Sequence, residues 1–202
     1  MSELQYSSAI KDLPFLYLET RKTALLLEDG KNPEEIVELS VLENIYQLEK
    51  EKRRKELPQK ILKRLENLNS NLIEVIAYGN DNDAKLITLL AILKADRLFF
   101  EFMDEVYFEK YLSKQLKITD SDFALFFNNK TIQSERVAGW QQANLEKVKR
   151  TYIKVLIEAG LAKQSSVGVE IEKPFCSQDI LNLLSNNDNE IYAKVMLLIG
   201  VF

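Results

Sequence analysis

The sequence contains no histidine and a single cysteine among 202 residues. The first absence removes the usual general base, the Ser-His and Cys-His nucleophile pairs, and the commonest zinc ligand together. An enzyme built on this chain would have to work with carboxylates, lysines or tyrosines. Cys176 cannot close an internal disulfide alone, which fits a reducing cytoplasm, and it reads as a small buried apolar residue. Glycine and proline are scarce, at 6 and 4. No two glycines share a turn before a helix, so a phosphate-cradling glycine loop is excluded. Long apolar runs are missing too. "LITLLAIL" (Leu86 to Leu93) and "VMLLIGVF" (Val195 to Phe202) fall far short of the ~20 residues of a membrane span and read as buried helix segments. The first twenty residues lack a basic stretch followed by an apolar core, so no secretory signal is read. A cytoplasmic protein with no membrane partner is expected.

What remains is rich in Leu, Glu, Lys and Ile: a soluble, helical composition with 46% hydrophobic and 29% charged residues. Asp12 and Pro14 read as the opening of a first helix that stops near Gly30. "NPEE" opens a second, with Asn32 as cap, Pro33 at the first position, and Ile36, Val37, Leu39, Leu42, Ile45 and Tyr46 on the buried side. Pro58 predicts a kink or break, followed by inward-facing Ile61, Leu62 and Leu65. "SNLIEVIAYG" is a short helix closed by Gly79, and the apolar stretch from Asp81 predicts two helices meeting near Ala95. The first of these two is central, covered on most sides. Asp120 caps a short helix holding Phe123, Leu125 and Phe126, which "NNKT" breaks. A brief helix near Val137 to Trp140 leads to a long one ending at Ala159, with Trp140 partly or fully buried and Gly160 as a left-handed stop. Two short β runs then flank Ser-Ser-Val-Gly, and Ser177 and Asp188 each cap a final helix. The best boundary lies near Leu116 to Thr119, giving a helical bundle over 1–117 and a second part over 118–202. Short helices followed by a hairpin are the order of a winged helix-turn-helix.

Net charge is −4, yet the distribution is uneven. From Gln47 to Glu66 eight Lys or Arg face four Glu, and from Ala143 to Lys163 five face two. In the long helix, Leu145, Val148, Tyr152, Val155, Leu156 and Ala159 share one side at ~100° per residue. Lys147, Arg150 and Lys154 stack opposite, with Lys163 on the hairpin beside them. Such a row meets phosphates loosely and without sequence preference, although most such rows are simply solvated faces. Arg53, Arg54, Lys60, Lys63 and Arg64 form a second stripe, interleaved with glutamates that can pair at i, i+4. Among carboxylates the best cluster is Glu101, Asp104 and Glu105, but a di-metal site needs matching clusters on other helices and normally histidines. No cofactor is expected.

The succession "LETRKTALLL", "ENIYQ", "RLENL", "LLAILKADRLFFEFMDEV" and "GWQQANLEKVKRTYIKVLIEAGL" resembles the BrxA family, small proteins encoded with BREX bacteriophage-exclusion systems. The resemblance runs from about Phe15 to Ala162 and rests on the order and spacing of short motifs. It implies a mainly α protein: a NusB-like N-terminal helical bundle, then a winged-helix-like C-terminal part with one short β-hairpin. It also implies binding to double-stranded DNA, no catalysis, and other BREX proteins as partners. Glu19, Arg21, Asn44, Arg64 and Phe102 fall at the family's recurrent positions, and of these Glu19–Arg21 and Asn44 read as structural pairs and caps rather than a reactive site. The alternative is an adaptor that docks larger defence enzymes through acidic surfaces such as that around Glu101 to Glu109.

Overall fold

The computed structural model describes residues 4–185 and 188–199. They fall into two compact units, one of residues 16–95 and one joining residues 1–15 to 96–202.

The 16–95 unit is five helices: α1 (Tyr17–Glu28), α2 (Pro33–Leu42), α3 (Glu51–Leu65), α4 (Ser70–Tyr78) and α5 (Asp81–Ala95). Every residue from Leu86 to Leu93 on α5 is buried, as its unbroken apolar character predicts. α2 starts as expected, with Asn32 and Glu35 bonding each other's backbone N–H groups beside Pro33. Its buried face is narrower than the periodicity implies. Leu42 is 73% exposed, while Ser40 is fully buried. α1 also starts later than expected. Asp12 ends a 3-10 turn (Ala9–Lys11) instead, and α1 begins after Leu16, which is left-handed (φ 50°) and offers no side-chain cap.

Pro58 does not break α3, and Ser40 supplies the reason. A proline removes the N–H that the carbonyl four residues earlier would accept. That carbonyl, of Arg54, accepts instead from the buried Ser40 hydroxyl at 2.6 Å. The orphaned acceptor is satisfied from the neighbouring helix, so the helix continues.

The other unit begins with α6 (Arg97–Phe102), capped by Asp96, which confirms the expected junction at Ala95. The chain continues through a π-helical stretch (Met103–Phe108) into α7 (Glu109–Leu112), then β1 (Lys117–Ile118), α8 (Asp120–Gln133), α9 (Glu135–Ala138) and α10 (Gln142–Glu158). β2 (Ala162–Ser165), β3 (Gly168–Ile171), α11 (Gln178–Leu184) and α12 (Glu190–Leu197) complete it. The predicted hairpin gains a third strand, for β1 pairs antiparallel with β3 and the sheet order is β1-β3-β2. Residue 117 therefore lies within a strand inside one unit, not between units. Gly168 makes this pairing possible: its φ is +130°, and a Cβ there would meet the Ile118 carbonyl at 2.1 Å.

Other local expectations change as well. "NNKT" does not end α8, which runs on to Gln133 because Lys130 turns into the core. Thr119 and Asp122 cap α8 in place of Asp120, and Leu125 is 63% exposed. Asn189, not Asp188, precedes α12. Cys176 and Trp140 are both half-buried. The core is aromatic. Phe102 stacks on Phe123 at 4.8 Å and contacts Phe126 and Tyr152, while Phe99 lies 4.6 Å from Tyr152.

Candidate nucleic-acid interface

α10 follows from its sequence closely. Leu145, Val148, Tyr152, Val155 and Leu156 are buried and hold the helix against the aromatic core. Gly160, at φ +76°, stops it and sends the chain into β2. Tyr107 fixes the hairpin to the helices: its hydroxyl lies 2.8 Å from the Leu161 carbonyl and 3.1 Å from that of Glu172, at the two ends of the hairpin. Burial pushes this phenol far above its ordinary range, so it remains a donor at any physiological pH.

The predicted cations of α10 are exposed, but they are not equivalent. Lys147 makes no ion pair among the described residues, and Arg150 is engaged only by the backbone carbonyl of Glu146 at 3.2 Å. Lys154 pairs with Glu158 at 3.6 Å one turn on. Lys163 lies 3.1 Å from Glu172 and 3.9 Å from Glu170 on the adjacent strand, and the hydrogen bond it donates to Glu172 is the chief cause that raises its pKa. Half of the row is thus free for an anionic partner and half is shared with internal carboxylates. Lys149, on the same helix, is tied down by Asp120 at 3.2 Å and Glu146 at 3.3 Å. An exposed cation that the periodicity misses is Lys117 on β1, in register with Glu170. A two-residue strand has no periodicity to detect.

In the 16–95 unit, Arg53, Lys60 and Lys63 are exposed on α3. Arg54 is half-buried and donates to the Leu48 carbonyl at 2.9 Å. Arg64 is only 7% exposed, so it belongs to the core and drops out of the stripe. Among the family positions, Asn44 is structural but caps no helix: left-handed at φ 50° just after the Glu43 C-cap of α2, it holds the turn by accepting from the Leu48 N–H at 2.7 Å. Arg21 pairs with Asp81 at 2.6 Å, not with Glu19, and reaches the Tyr17 hydroxyl and the Ala77 and Gly79 carbonyls. Phe102 is fully buried.

The acidic cluster is not a metal site among the described residues. Glu101 and Glu105 converge on Lys130 of α8, whose Nζ lies 2.6 Å from one and 2.5 Å from the other. Arg97 and the Tyr6 hydroxyl also bond Glu101, at 2.7 and 2.9 Å. Burial by itself would raise the Glu101 carboxyl, but the bonds from Lys130, Arg97 and Tyr6 outweigh it and hold the group below its ordinary range. Burial would likewise lower Lys130, and its two carboxylates raise it instead. Nor is any helix of the described residues long and apolar enough to cross a membrane.

The BrxA family model matches residues 4–188. The chain belongs to the BrxA family. A BREX protein BrxA from Bacillus cereus (strain H3081.97) is 40% identical over 196 residues, spanning 97% of this chain and 98% of the relative. The family resemblance of the sequence motifs is thus established, and with it a place among BREX phage-defence components. The crystal structure of an uncharacterized protein from Magnetospirillum magneticum superposes with a TM-score of 0.82. It covers 97% of this chain and all of the other at 18% identity, which shows a shared fold. That BrxA-family fold is mainly α with a small antiparallel sheet.

Proposed function

We propose that this BrxA-family chain is a non-enzymatic, cytoplasmic component of BREX phage defence that binds double-stranded DNA, mainly through phosphates. The observation that carries the reading is the exposed, carboxylate-free pair Lys147 and Arg150 on α10, opposite its buried stripe. Its context supports it. A strand, helices and then a hairpin, with sheet order β1-β3-β2, support a winged-helix reading, in which the helix before the wing would enter the major groove. The N-terminal helical part is read as NusB-like. With cation-to-phosphate contacts dominant, little sequence preference follows.

The adaptor reading loses part of its acidic surface, since Glu101 pairs with Arg97 and Lys130 and Glu105 with Lys130, while Glu109 stays exposed. It keeps one favouring observation: Ile132, 85% exposed on α8.

Lys147→Glu combined with Arg150→Glu is expected to weaken duplex binding about tenfold or more at moderate salt, by replacing two phosphate contacts with repulsion. Gel-shift affinity and helicity by circular dichroism are measured together. Unchanged affinity with intact helicity would remove α10 as the contact.

A further inference from the structure

Away from the α10 face, the unit containing residues 96–202 holds a cavity of about 510 Å3 between the N-terminal segment, α6 and the α8–α9 turn. Gln5, Tyr6, Arg97, Gln133, Ser134 and Arg136 line it, and no carboxylate among the described residues does. The acceptors of these walls are already engaged. Gln133 Oε1 accepts from Lys130 Nζ at 3.3 Å, which orients the carboxamide and leaves its Nε2 protons unmatched among the described residues. Gln5 Oε1 accepts from Arg136, leaving the Gln5 amide group in the same state. Glu101, behind the wall, is occupied by Arg97, Tyr6 and Lys130.

The donors are in surplus. Arg136 commits one of the five N–H groups of a guanidinium. Arg97 donates to Glu101, to the Tyr6 hydroxyl at 3.2 Å and to the Leu4 carbonyl at a long 3.4 Å, and lies over the Tyr6 ring at 4.3 Å, which leaves two of its five N–H groups uncommitted among the described residues. Ser134 Oγ accepts from the Val137 N–H at 3.4 Å and keeps its own proton uncommitted. Arg97, Lys130 and Arg136 set against Glu101 and Glu105 also leave one positive charge.

We propose that this cavity is a binding site for a phosphate monoester of nucleotide size. A carboxylate presents two oxygens and saturates one guanidinium fork, whereas a phosphate monoester presents three to donors on several walls. The volume exceeds that of a bare phosphate and falls in the range of small-molecule pockets of roughly 300–1,000 Å3. The phosphate can belong to a free mononucleotide or to the 5′ end of a DNA strand, two sources of one chemistry. This site stands apart from the reading of α10 as a duplex-binding helix.

The test is calorimetric titration of the full chain with adenosine 5′-monophosphate, adenosine and inorganic phosphate. Gel shifts of short duplexes with 5′-phosphate or 5′-hydroxyl ends run alongside. Mononucleotide binding at least tenfold tighter than nucleoside binding is expected, lost about tenfold in Arg136→Gln and in Gln133→Ala with helicity intact. The Lys147→Glu, Arg150→Glu variant should bind mononucleotide like the parent, which separates this site from duplex binding. A duplex preference for 5′-phosphate ends that Arg136→Gln abolishes identifies DNA ends as the source, and its absence identifies the free nucleotide. Equal binding of nucleoside and mononucleotide, no heat with either, or unchanged binding in both folded variants overturns the proposal.

Discussion

Lys130 carries its charge with a side chain only 2% exposed, and the cost of removing it can be estimated. Breaking a fully buried ion pair from one side costs about 3–5 kcal/mol, because the other charge stays buried and unpaired. Here Glu105 is 44% exposed and Glu101 keeps Arg97, so Lys130→Met should cost the lower figure of about 2–3 kcal/mol in urea unfolding at neutral pH. Adding Glu101→Gln should recover part of it. The pH dependence has a definite sign. Glu101 is depressed in the folded state, so its contribution is present above the ordinary carboxylate value of about 4.3 and fades as pH falls through the folded value. Lys130 is raised, so its contribution is present below about 10.4 and fades as pH climbs through the folded value. The deficit of Lys130→Met relative to the parent should therefore be greatest at neutral pH and shrink towards both extremes; a constant deficit would mean the loss is packing alone. None of this is legible in "FNNKTIQ", where the lysine reads as part of a polar break. Its burial depends on an i, i+4 carboxylate pair about 25 residues earlier in the chain.

Helix α3 shows why an element resists reading one residue at a time. Pro58 and Ser40 lie eighteen residues apart and make sense only as a pair. Ser40→Ala should cost about 1–3 kcal/mol, the penalty for stranding the Arg54 carbonyl without a partner. In that background Pro58→Ala should restore stability by supplying the missing N–H. A double-mutant cycle measured by thermal unfolding checks this, and strictly additive effects would refute the coupling. The elements that did follow from sequence share a local cause. Asn32 with Pro33, Ser177 ahead of α11, the amphipathic stripe of α10 and the unbroken apolar α5 each carry their signal within a few residues. β1 is the opposite case, two residues made into a strand by a hairpin about fifty residues away. The cations of the candidate interface were likewise readable as a row, because helical period alone places them. Their availability was not, because Glu158, Glu170 and Glu172 are brought to Lys154 and Lys163 by a helical turn and a strand register.

At the scale of the whole molecule, charge is segregated: a chain of net charge −4 carries one exposed basic row in each unit. Counterion release makes the logarithm of affinity fall linearly with that of salt, by about 0.9 per phosphate engaged. Contacts from Lys147, Arg150 and the shared Lys154 and Lys163 alone predict a slope of roughly −2 to −4. If Arg53, Lys60 and Lys63 contact the same duplex, the slope steepens to about −5 or −6, and Lys60→Glu with Lys63→Glu should return it to the shallower value. A flat response would remove the electrostatic account of binding. The division of the chain has a consequence of another kind, in the order of its biosynthesis. Tyr6 finds its partners at Arg97 and Glu101, and Gln5 finds its own at Arg136, so a segment made before the 16–95 unit belongs to the unit completed after it. At about 5–20 residues per second, the whole 16–95 unit takes about 4–16 s to make before the first of those partners, Arg97, follows it. Residues 4–15 therefore spend that interval without their partners, tethered to a neighbour that is still being made.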